Sequence, residues 1–266
     1  MRAKINGIEM TYEVSGRTDA PAVVLHHPLA TNLSTWDALT AALEPTYRVI
    51  RMDARGHGKT EAPDGAYSFE TLTADVIGLL DHLDLAKAHF LGLSMGGMVG
   101  QYLGILHPDR FHSLCLVSTT SAVPSQAWSL WDERIRVAAT GDLSSLVDAA
   151  VARWVTPATA KNKPELVAQL KEMMLSTPAK GYGGWCHAIR NLNITARLKE
   201  IELPTRVIVG QADPATPVLA AKVIHEEIAG SDLVVIPGVS HMLHVEAPEA
   251  FHPHVLAFLA AHSRSV

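Results

Sequence analysis

The stretch "FLGLSMGGMVG", residues 90 to 100, joins an apolar run to a helical pattern through one serine among glycines. Glycine weakens strands and helices alike, by about 0.5–1 kcal/mol relative to alanine, so this clustering indicates a geometric requirement. A serine on a sharp strand-to-helix turn adopts a positive φ, and its neighbours two residues away approach backbone too closely for a Cβ. Gly92 and Gly96 around Ser94 therefore predict an elbow that lifts the hydroxyl above the strand tips. Gly97 and Gly100 would let the following helix pack closely on the sheet.

The composition suits one α/β domain, because a chain of 266 residues that is 48% hydrophobic and 18% charged can bury a sizeable core. The net charge of −5 and scattered cations predict no nucleic-acid partner and no membrane partner. The first residues, "MRAKINGIEM", lack the apolar segment of a signal peptide, and no apolar run reaches the length of a membrane span. Since Cys115 and Cys186 are too few for a disulfide framework, we expect a reduced, cytoplasmic location.

Apolar runs alternate with helical patterns along most of the chain, which is typical of a parallel sheet flanked by helices. "AKINGIEMTYEV" predicts a hairpin that turns at Asn6–Gly7, and Ser34 and Ser68 are candidate helix caps. Six further runs predict strands, which makes eight in all: "AVVLHH", "YRVIRMD", "AHFLGLS", "HSLCLVS", "TRVIVG" and "DLVVIPG".

This alternation stops between about residues 122 and 198, where helical segments follow one another without a convincing strand. The segment holds four of the five tryptophans and the glycine-rich "KGYGGWC". We expect residues 122–198 to form an inserted helical cap on a core made of residues 1–121 and 199–266. Ordinary helical layers of the same domain are the alternative.

A serine hydroxyl is a weak nucleophile at neutral pH, so it needs a base and an acid that orients the base. After an elbow of this kind the expected chain order is serine, then acid, then histidine, on loops that follow later strands. Asp213 in "VIVGQADPATP" and His241 in "LVVIPGVSHMLHVEAPE" fit that order. His244 is the alternative base.

Acyl transfer also requires two backbone N–H groups that bind the developing oxyanion. Met95, which follows the nucleophile, is one predicted donor, and the loop after "AVVLHH" should supply the other. Pro28 has no N–H, so Leu29 is the first choice and Ala30 the second. His26 and His27 in this loop either touch substrate or, as is commoner at a strand end, serve as hydrogen-bonded structural residues.

Asp53 ends a strand in "DARGHGKT", but its position before Ser94 in the chain argues against a role as the catalytic acid. A structural clamp between Asp53 and Arg55 is the preferred interpretation. The two cysteines have no histidine or cysteine partner at the spacing of metal ligands, so no metal site is predicted.

These motifs resemble the α/β-hydrolase family along essentially the whole chain. Within it, "GLSMGGMVGQ", "GYGGWCHAIRNLN" and "DPATP" are similar to the 3-oxoadipate enol-lactonase group. The resemblance implies a triad of Ser94, Asp213 and His241, oxyanion donors Leu29 and Met95, a compact cap and a part in the breakdown of aromatic compounds. The first loop, "HHPLAT", departs from that group's pattern of a small polar residue beside an "SLG"-like stretch, which changes the acyl pocket.

The sequence therefore predicts a serine hydrolase without a cofactor, acting on a small ester or lactone. An anionic lactone would need a cation, for which Arg134 and Arg190 are candidates, and Trp128, Trp131 and Trp185 are candidates for the pocket lining. A broad carboxylesterase, a perhydrolase and a C–C bond hydrolase share these motifs. A ligand-binding receptor on the same fold is the alternative outside enzymes, and a homo-oligomer stays open.

Overall fold

The computed structural model describes residues 1–263, which form one eight-stranded sheet with helices on both faces. The strand order is β1-β2-β4-β3-β5-β6-β7-β8, and only the β1–β2 and β2–β4 pairs are antiparallel. The mostly parallel eight-stranded sheet predicted from the sequence is confirmed. The strands are β1 Arg2–Ile5, β2 Ile8–Gly16, β3 Ala22–His26, β4 Arg48–Met52, β5 Ala88–Leu93, β6 Phe111–Val117, β7 Thr205–Gly210 and β8 Asp232–Ile236.

The helices connect these strands and cover the sheet. Their bounds are α1 Asp37–Leu43, α2 Phe69–His82, α3 Met95–Leu106, α4 Trp128–Ala138, α5 Ser144–Trp154, α6 Pro157–Asn162, α7 Pro164–Ser176, α8 Ala179–Arg190, α9 Val218–Glu227, α10 Leu243–Glu246 and α11 Pro248–His262. Short 3₁₀ turns span Leu33–Trp36, Pro108–Arg110, Ser125–Ala127 and Thr195–Glu200. Of the residues described, no helix is both long enough and apolar enough to span a bilayer.

The core consists of two apolar layers, one on each face of the sheet. Successive side chains of a strand point to opposite faces, so Phe90 packs in one layer and Leu91 in the other. Their partners on β6, Leu114 and Cys115, divide in the same way. Burial on both faces explains why the central strands read as continuous apolar runs.

The predicted local signals were confirmed in two of three cases. Asn6 and Gly7 both have positive φ, as a two-residue hairpin turn requires, and Ser68 caps α2 by accepting the Thr71 N–H. The expected cap at Ser34 was wrong. Asn32 caps a 3₁₀ turn before α1, and its side-chain oxygen accepts both the N–H and the hydroxyl of Ser34.

Helices α4 to α8 follow β6 and precede β7, and several of their side chains share a cavity with Ser94. The two ends of this helical segment lie side by side. Ala122 forms an isolated antiparallel bridge with Asn193, while Val123 N–H donates to Leu192 and Ile194 N–H donates to Ser121. The segment therefore leaves the sheet and returns to it at one place.

Candidate active site

The turn between β5 and α3 has the geometry of the predicted elbow. Ser94 has φ 55° and ψ −110°, a conformation that residues with a Cβ rarely adopt. A Cβ on Gly92 would lie 2.2 Å from the Gly96 carbonyl oxygen, and one on Gly96 would lie 2.4 Å from the His26 carbonyl oxygen. Both glycines are therefore required by close backbone contacts, and Gly96 brings the elbow against the end of β3.

Contacts with β6 and the loop after it hold this strained turn. Ser94 N–H donates to the Val117 carbonyl over 2.8 Å, and the Thr119 hydroxyl donates to the Ser94 carbonyl over 2.8 Å. A Cβ on Gly97 would lie 2.6 Å from the Thr119 Cβ, and one on Gly100 would lie 2.8 Å from a Leu116 methyl. The predicted close packing of α3 on the sheet is confirmed.

Asp213 and His241 form a buried hydrogen-bonded pair. His241 Nδ1 lies 2.8 Å from Asp213 Oδ2, and the two residues are 3% and 4% exposed, respectively. They sit on the loops that follow β8 and β7, where the parallel strands of the sheet end. The Asp213 carboxylate also accepts the Ala215 and Thr216 N–H groups and the Thr216 hydroxyl, at 2.8, 3.0 and 2.8 Å.

The charge on Asp213 is stabilised by these partners. Burial opposes ionisation of the carboxyl, but His241 and the donors of Thr216 outweigh it and hold the pKa of Asp213 below its ordinary value. An ionised carboxylate fixes the His241 proton on Nδ1 and leaves Nε2 as the basic nitrogen. Sequence reasoning missed Thr216, because its role depends on how this loop folds back on Asp213.

Ser94 and His241 line the same cavity, whose volume is about 540 Å³. The Ser94 hydroxyl has no hydrogen-bond partner among residues 1–263, so it is free to contact a molecule bound in the cavity. The rest of the lining is mainly apolar and includes Met98, Val123, Leu130, Trp154, Met174 and Ile189. The structure thus brings a serine, an imidazole and a carboxylate to one edge of the sheet in the predicted chain order.

The two backbone amides predicted as oxyanion donors lie at this edge. Leu29 lines the cavity beside Ser94, and Met95 is the first residue of α3, where an N–H has no acceptor within the helix. Neither amide has a partner within the described residues. The alternative donor, Ala30, is excluded because its N–H donates to His57 Nε2 over 3.0 Å.

The structure brings two of the five predicted binding residues to the cavity. Trp131 and Arg134 line it, and the Arg134 guanidinium carbon lies 4.4 Å from the centre of the Trp131 ring.

The other three predicted binding residues are elsewhere. Trp185 is fully buried and its Nε1–H donates to the Arg55 carbonyl over 2.7 Å. Trp128 is 41% exposed and stacks with Arg190, which is paired with Asp132. These side chains are occupied by contacts within the protein, so none of them lines the cavity.

Arg153 on α5 is a cavity residue that the sequence did not reveal. Neither Arg153 nor Arg134 has an acidic partner among the described residues. Burial, together with the charge of Arg134, lowers the pKa of Arg153. Nothing in the pattern of α5 distinguishes Arg153 from a solvated arginine, so only the tertiary structure could have identified it.

The remaining histidines near the site serve the structure. His26 and His27 are buried, lie outside the cavity lining and hydrogen-bond to backbone carbonyls, in agreement with the structural interpretation. The alternative base, His244, is excluded, since its Nε2 lies 2.8 Å from the Thr35 hydroxyl and its ring packs on Trp36.

The expected clamp between Asp53 and Arg55 was wrong. Arg55 makes a two-pronged ion pair with Asp75 on α2, with distances of 2.8 and 2.6 Å. Asp53 instead accepts the N–H groups of Leu33 and Lys59 and so ties two loops together. The sequence could not show that α2 places an acid beside Arg55.

Among residues 1–263 no cluster of three or more His, Cys, Asp or Glu side chains could hold a metal ion.

Comparison with known proteins agrees with this geometry. A sequence model of the family described as "alpha/beta hydrolase fold" matches residues 21–248. The chain is 36% identical to 3-oxoadipate enol-lactonase 2 of Acinetobacter baylyi over 252 residues, which cover 95% of this chain and 93% of that protein. The resemblance to the enol-lactonase group that the motifs indicated is confirmed.

Solved structures give the same result. The enol-lactonase from Burkholderia xenovorans LB400 superposes with a TM-score of 0.94 at 36% identity, covering 98% of this chain and all of that one. A malate-bound esterase from Thermogutta terrifontis superposes with a TM-score of 0.93 at 28% identity, covering 99% of this chain and all of that one. The chain belongs to the α/β-hydrolase family.

Proposed function

We propose that this protein is a serine hydrolase that cleaves a small carboxylic ester or lactone through an acyl-enzyme. The observation that carries the proposal is the 2.8 Å contact between His241 Nδ1 and Asp213 Oδ2, beside a cavity that His241 and Ser94 both line. The enol-lactonase relatives support a carboxylic ester hydrolase. No cofactor is needed for this chemistry.

The reaction begins when His241 Nε2 takes the Ser94 proton and Ser94 Oγ attacks the substrate carbonyl carbon. The carbonyl oxygen becomes an oxyanion that accepts the N–H groups of Leu29 and Met95. Removing one such donor typically costs about 10²–10³ in kcat. Collapse of this intermediate breaks the bond to the leaving oxygen, which takes its proton from His241.

The second half of the reaction reverses these roles. His241 deprotonates a water molecule, which attacks the acyl carbon, and Ser94 leaves with the proton that His241 carried. In a lactone the leaving oxygen stays joined to the acyl group, so one open-chain product is released. Asp213 remains ionised throughout and stabilises the imidazolium that forms twice in each turnover.

Two arginines without acidic partners favour an anionic substrate. Arg134 and Arg153 line a mainly apolar cavity, and a substrate carboxylate would offset the repulsion between them. The Arg134 guanidinium stacks on the Trp131 ring, which helps to hold it in place. A lactone that carries a carboxylate, as 3-oxoadipate enol-lactone does, meets this requirement, and we propose that class as the substrate.

Residues 122–198 are the proposed cap, because they supply both arginines and about half of the apolar lining while their ends meet beside Ser121. A reduced cytoplasmic location and a part in the breakdown of aromatic compounds follow from the enol-lactonase likeness and belong to the same proposal.

A broad carboxylesterase is the second candidate. A cavity of about 540 Å³ exceeds what a small lactone fills, and the lining beyond the arginines is mainly apolar. The likeness to an esterase at 28% identity fits this alternative.

Turnover of a substrate panel separates the two candidates. Purified protein is assayed on 3-oxoadipate enol-lactone, on neutral lactones and on p-nitrophenyl esters of increasing chain length, with Ser94→Ala as the blank. The proposal predicts the highest kcat/KM for the carboxylate lactone. Faster turnover of neutral esters would favour the carboxylesterase, and rates equal to the Ser94→Ala blank on every substrate would contradict a hydrolase.

A further inference from the structure

The peptide that joins Pro28 to Leu29 is held at its carbonyl end by two buried side chains. His27 Nδ1–H donates to the Pro28 carbonyl over 2.8 Å, and the Thr31 hydroxyl donates to the same oxygen over 2.9 Å. Both donors are completely buried. The N–H on the opposite edge of this rigid peptide plane is that of Leu29, the proposed oxyanion donor.

A hydrogen bond at the other ring nitrogen, Nε2, fixes the proton of His27 on Nδ1. Ala54 N–H donates to His27 Nε2 over 2.9 Å, so Nε2 must be an acceptor and the neutral ring carries its hydrogen on Nδ1. Full burial lowers the pKa of His27 to about 4, which keeps the ring neutral at ordinary pH. His27 is therefore a permanent donor to the Pro28 carbonyl.

The next peptide of the loop is held by a second histidine in the same way. Ala30 N–H donates to His57 Nε2, while His57 Nδ1 lies 3.3 Å from the Arg55 carbonyl. Ala30 has φ 61°, a left-handed conformation that is strained for an alanine. A loop with this strain needs such contacts, and together they hold the backbone on both sides of the Leu29 N–H, which has no partner among residues 1–263.

From these contacts we infer that His27 is a positioning residue of the oxyanion hole, an inference that rests on the proposed function. Its hydrogen bond fixes the plane of the Pro28–Leu29 peptide, and it polarises that peptide so that the Leu29 N–H becomes a stronger donor. His27 does not touch the substrate. The effect acts only when negative charge develops on the carbonyl oxygen, so it raises kcat and leaves substrate binding unchanged.

Two substitutions at residue 27 distinguish the hydrogen bond made by Nδ1 from the one made by Nε2. In His27→Asn the amide nitrogen occupies the place of Nδ1 and keeps the bond to the Pro28 carbonyl, while the bond from Ala54 is lost. In His27→Gln the amide reaches the place of Nε2 and keeps the bond from Ala54, while the bond to Pro28 is lost. A purely structural role for His27 would make the two variants lose similar amounts of activity.

The experiment measures kcat, KM and thermal midpoint for both variants, together with their affinity for a substrate-shaped trifluoromethyl ketone, whose adduct with Ser94 carries an oxyanion. We expect His27→Gln to lose about 10–100-fold in kcat at unchanged KM, with a parallel loss of ketone affinity, since a misplaced donor costs up to the effect of a removed one. His27→Asn should stay within about threefold of the wild type by the same reasoning.

Equal kcat losses in the two variants, or losses that follow the thermal midpoint, would overturn the inference. A second pair, Thr31→Ser against Thr31→Val, probes the same carbonyl if His27→Gln does not fold, and only Thr31→Val should lower kcat. The wild-type protein assayed in parallel keeps the two ideas apart, because a wild type without turnover contradicts the proposed function rather than the role of His27.

Discussion

Thr216 and His241 meet at one oxygen of Asp213: Oδ2 lies 2.8 Å from both the Thr216 hydroxyl and His241 Nδ1, and these two groups are 3.3 Å apart. This arrangement holds the Asp213 carboxylate against the imidazole by contacts that do not depend on substrate. It also explains how a carboxyl that is almost fully buried keeps a lowered pKa.

The first prediction concerns this carboxylate. Asp213→Asn should lower kcat by roughly 10⁴-fold, because an amide no longer holds the His241 proton on Nδ1 or stabilises the imidazolium. Steady-state kinetics with the preferred substrate provide the measurement. The matched variant Thr216→Val keeps the charge and should lose far less. An Asp213→Asn enzyme within tenfold of the wild type would exclude Asp213 as the orienting acid.

The second prediction concerns the arginines of the cavity. Arg153→Gln and Arg134→Gln should each raise KM for a carboxylate-bearing substrate by about 10–100-fold, the effect of one hydrogen bond to a charged group. The same variants should leave KM for a neutral ester unchanged. Arg136→Gln is the control, since Arg136 also lies on α4 but is exposed and paired with Glu133. Equal changes for charged and neutral substrates would argue against an anion site.

The third prediction is an acid sensitivity of the folded state. Burial lowers the pKa of His26 to about 3, of His27 to about 4 and of His244 to about 3. As pH falls below about 6.5 the unfolded chain binds protons at these positions and the folded protein does not. Folding is therefore favoured fully above pH 6.5 and progressively less between pH 6.5 and 4.

Urea denaturation at pH 7, 6 and 5 measures this effect. Each buried histidine contributes a loss of up to about 1.4 kcal/mol per pH unit in the free energy of unfolding within that interval. The variant His244→Gln should unfold with a shallower dependence on pH than the wild type. A free energy of unfolding that stays constant from pH 7 to 5 would show that these rings titrate normally in the folded protein.

The features that the sequence predicted depend on short-range patterns. The elbow follows from the spacing of Gly92, Ser94 and Gly96. Asp213 and His241 were identified because they follow Ser94 in the expected order and each comes after a predicted strand. These signals are sufficient because parallel strands end at a common edge of the sheet. Residues that follow different strands therefore lie near one another even when they are far apart in the chain.

The features that the sequence missed depend on contacts between distant segments. Helical periodicity cannot tell which cap side chains face the cavity, so Trp185 was placed in the pocket and Arg153 was overlooked. The pairing of Arg55 with Asp75 in place of Asp53 has the same origin. The bond from His27 to the Pro28 carbonyl follows a loop conformation that no spacing rule specifies.

The central claim, that Ser94 is the nucleophile, is tested most directly by intact-protein mass spectrometry after treatment with a fluorophosphonate probe. The account predicts one covalent adduct per chain, localised to Ser94 by peptide mapping and absent from Ser94→Ala and from protein saturated with substrate-like inhibitor. A hydrolytically active protein that gains no adduct, or gains it at another residue, would contradict the account.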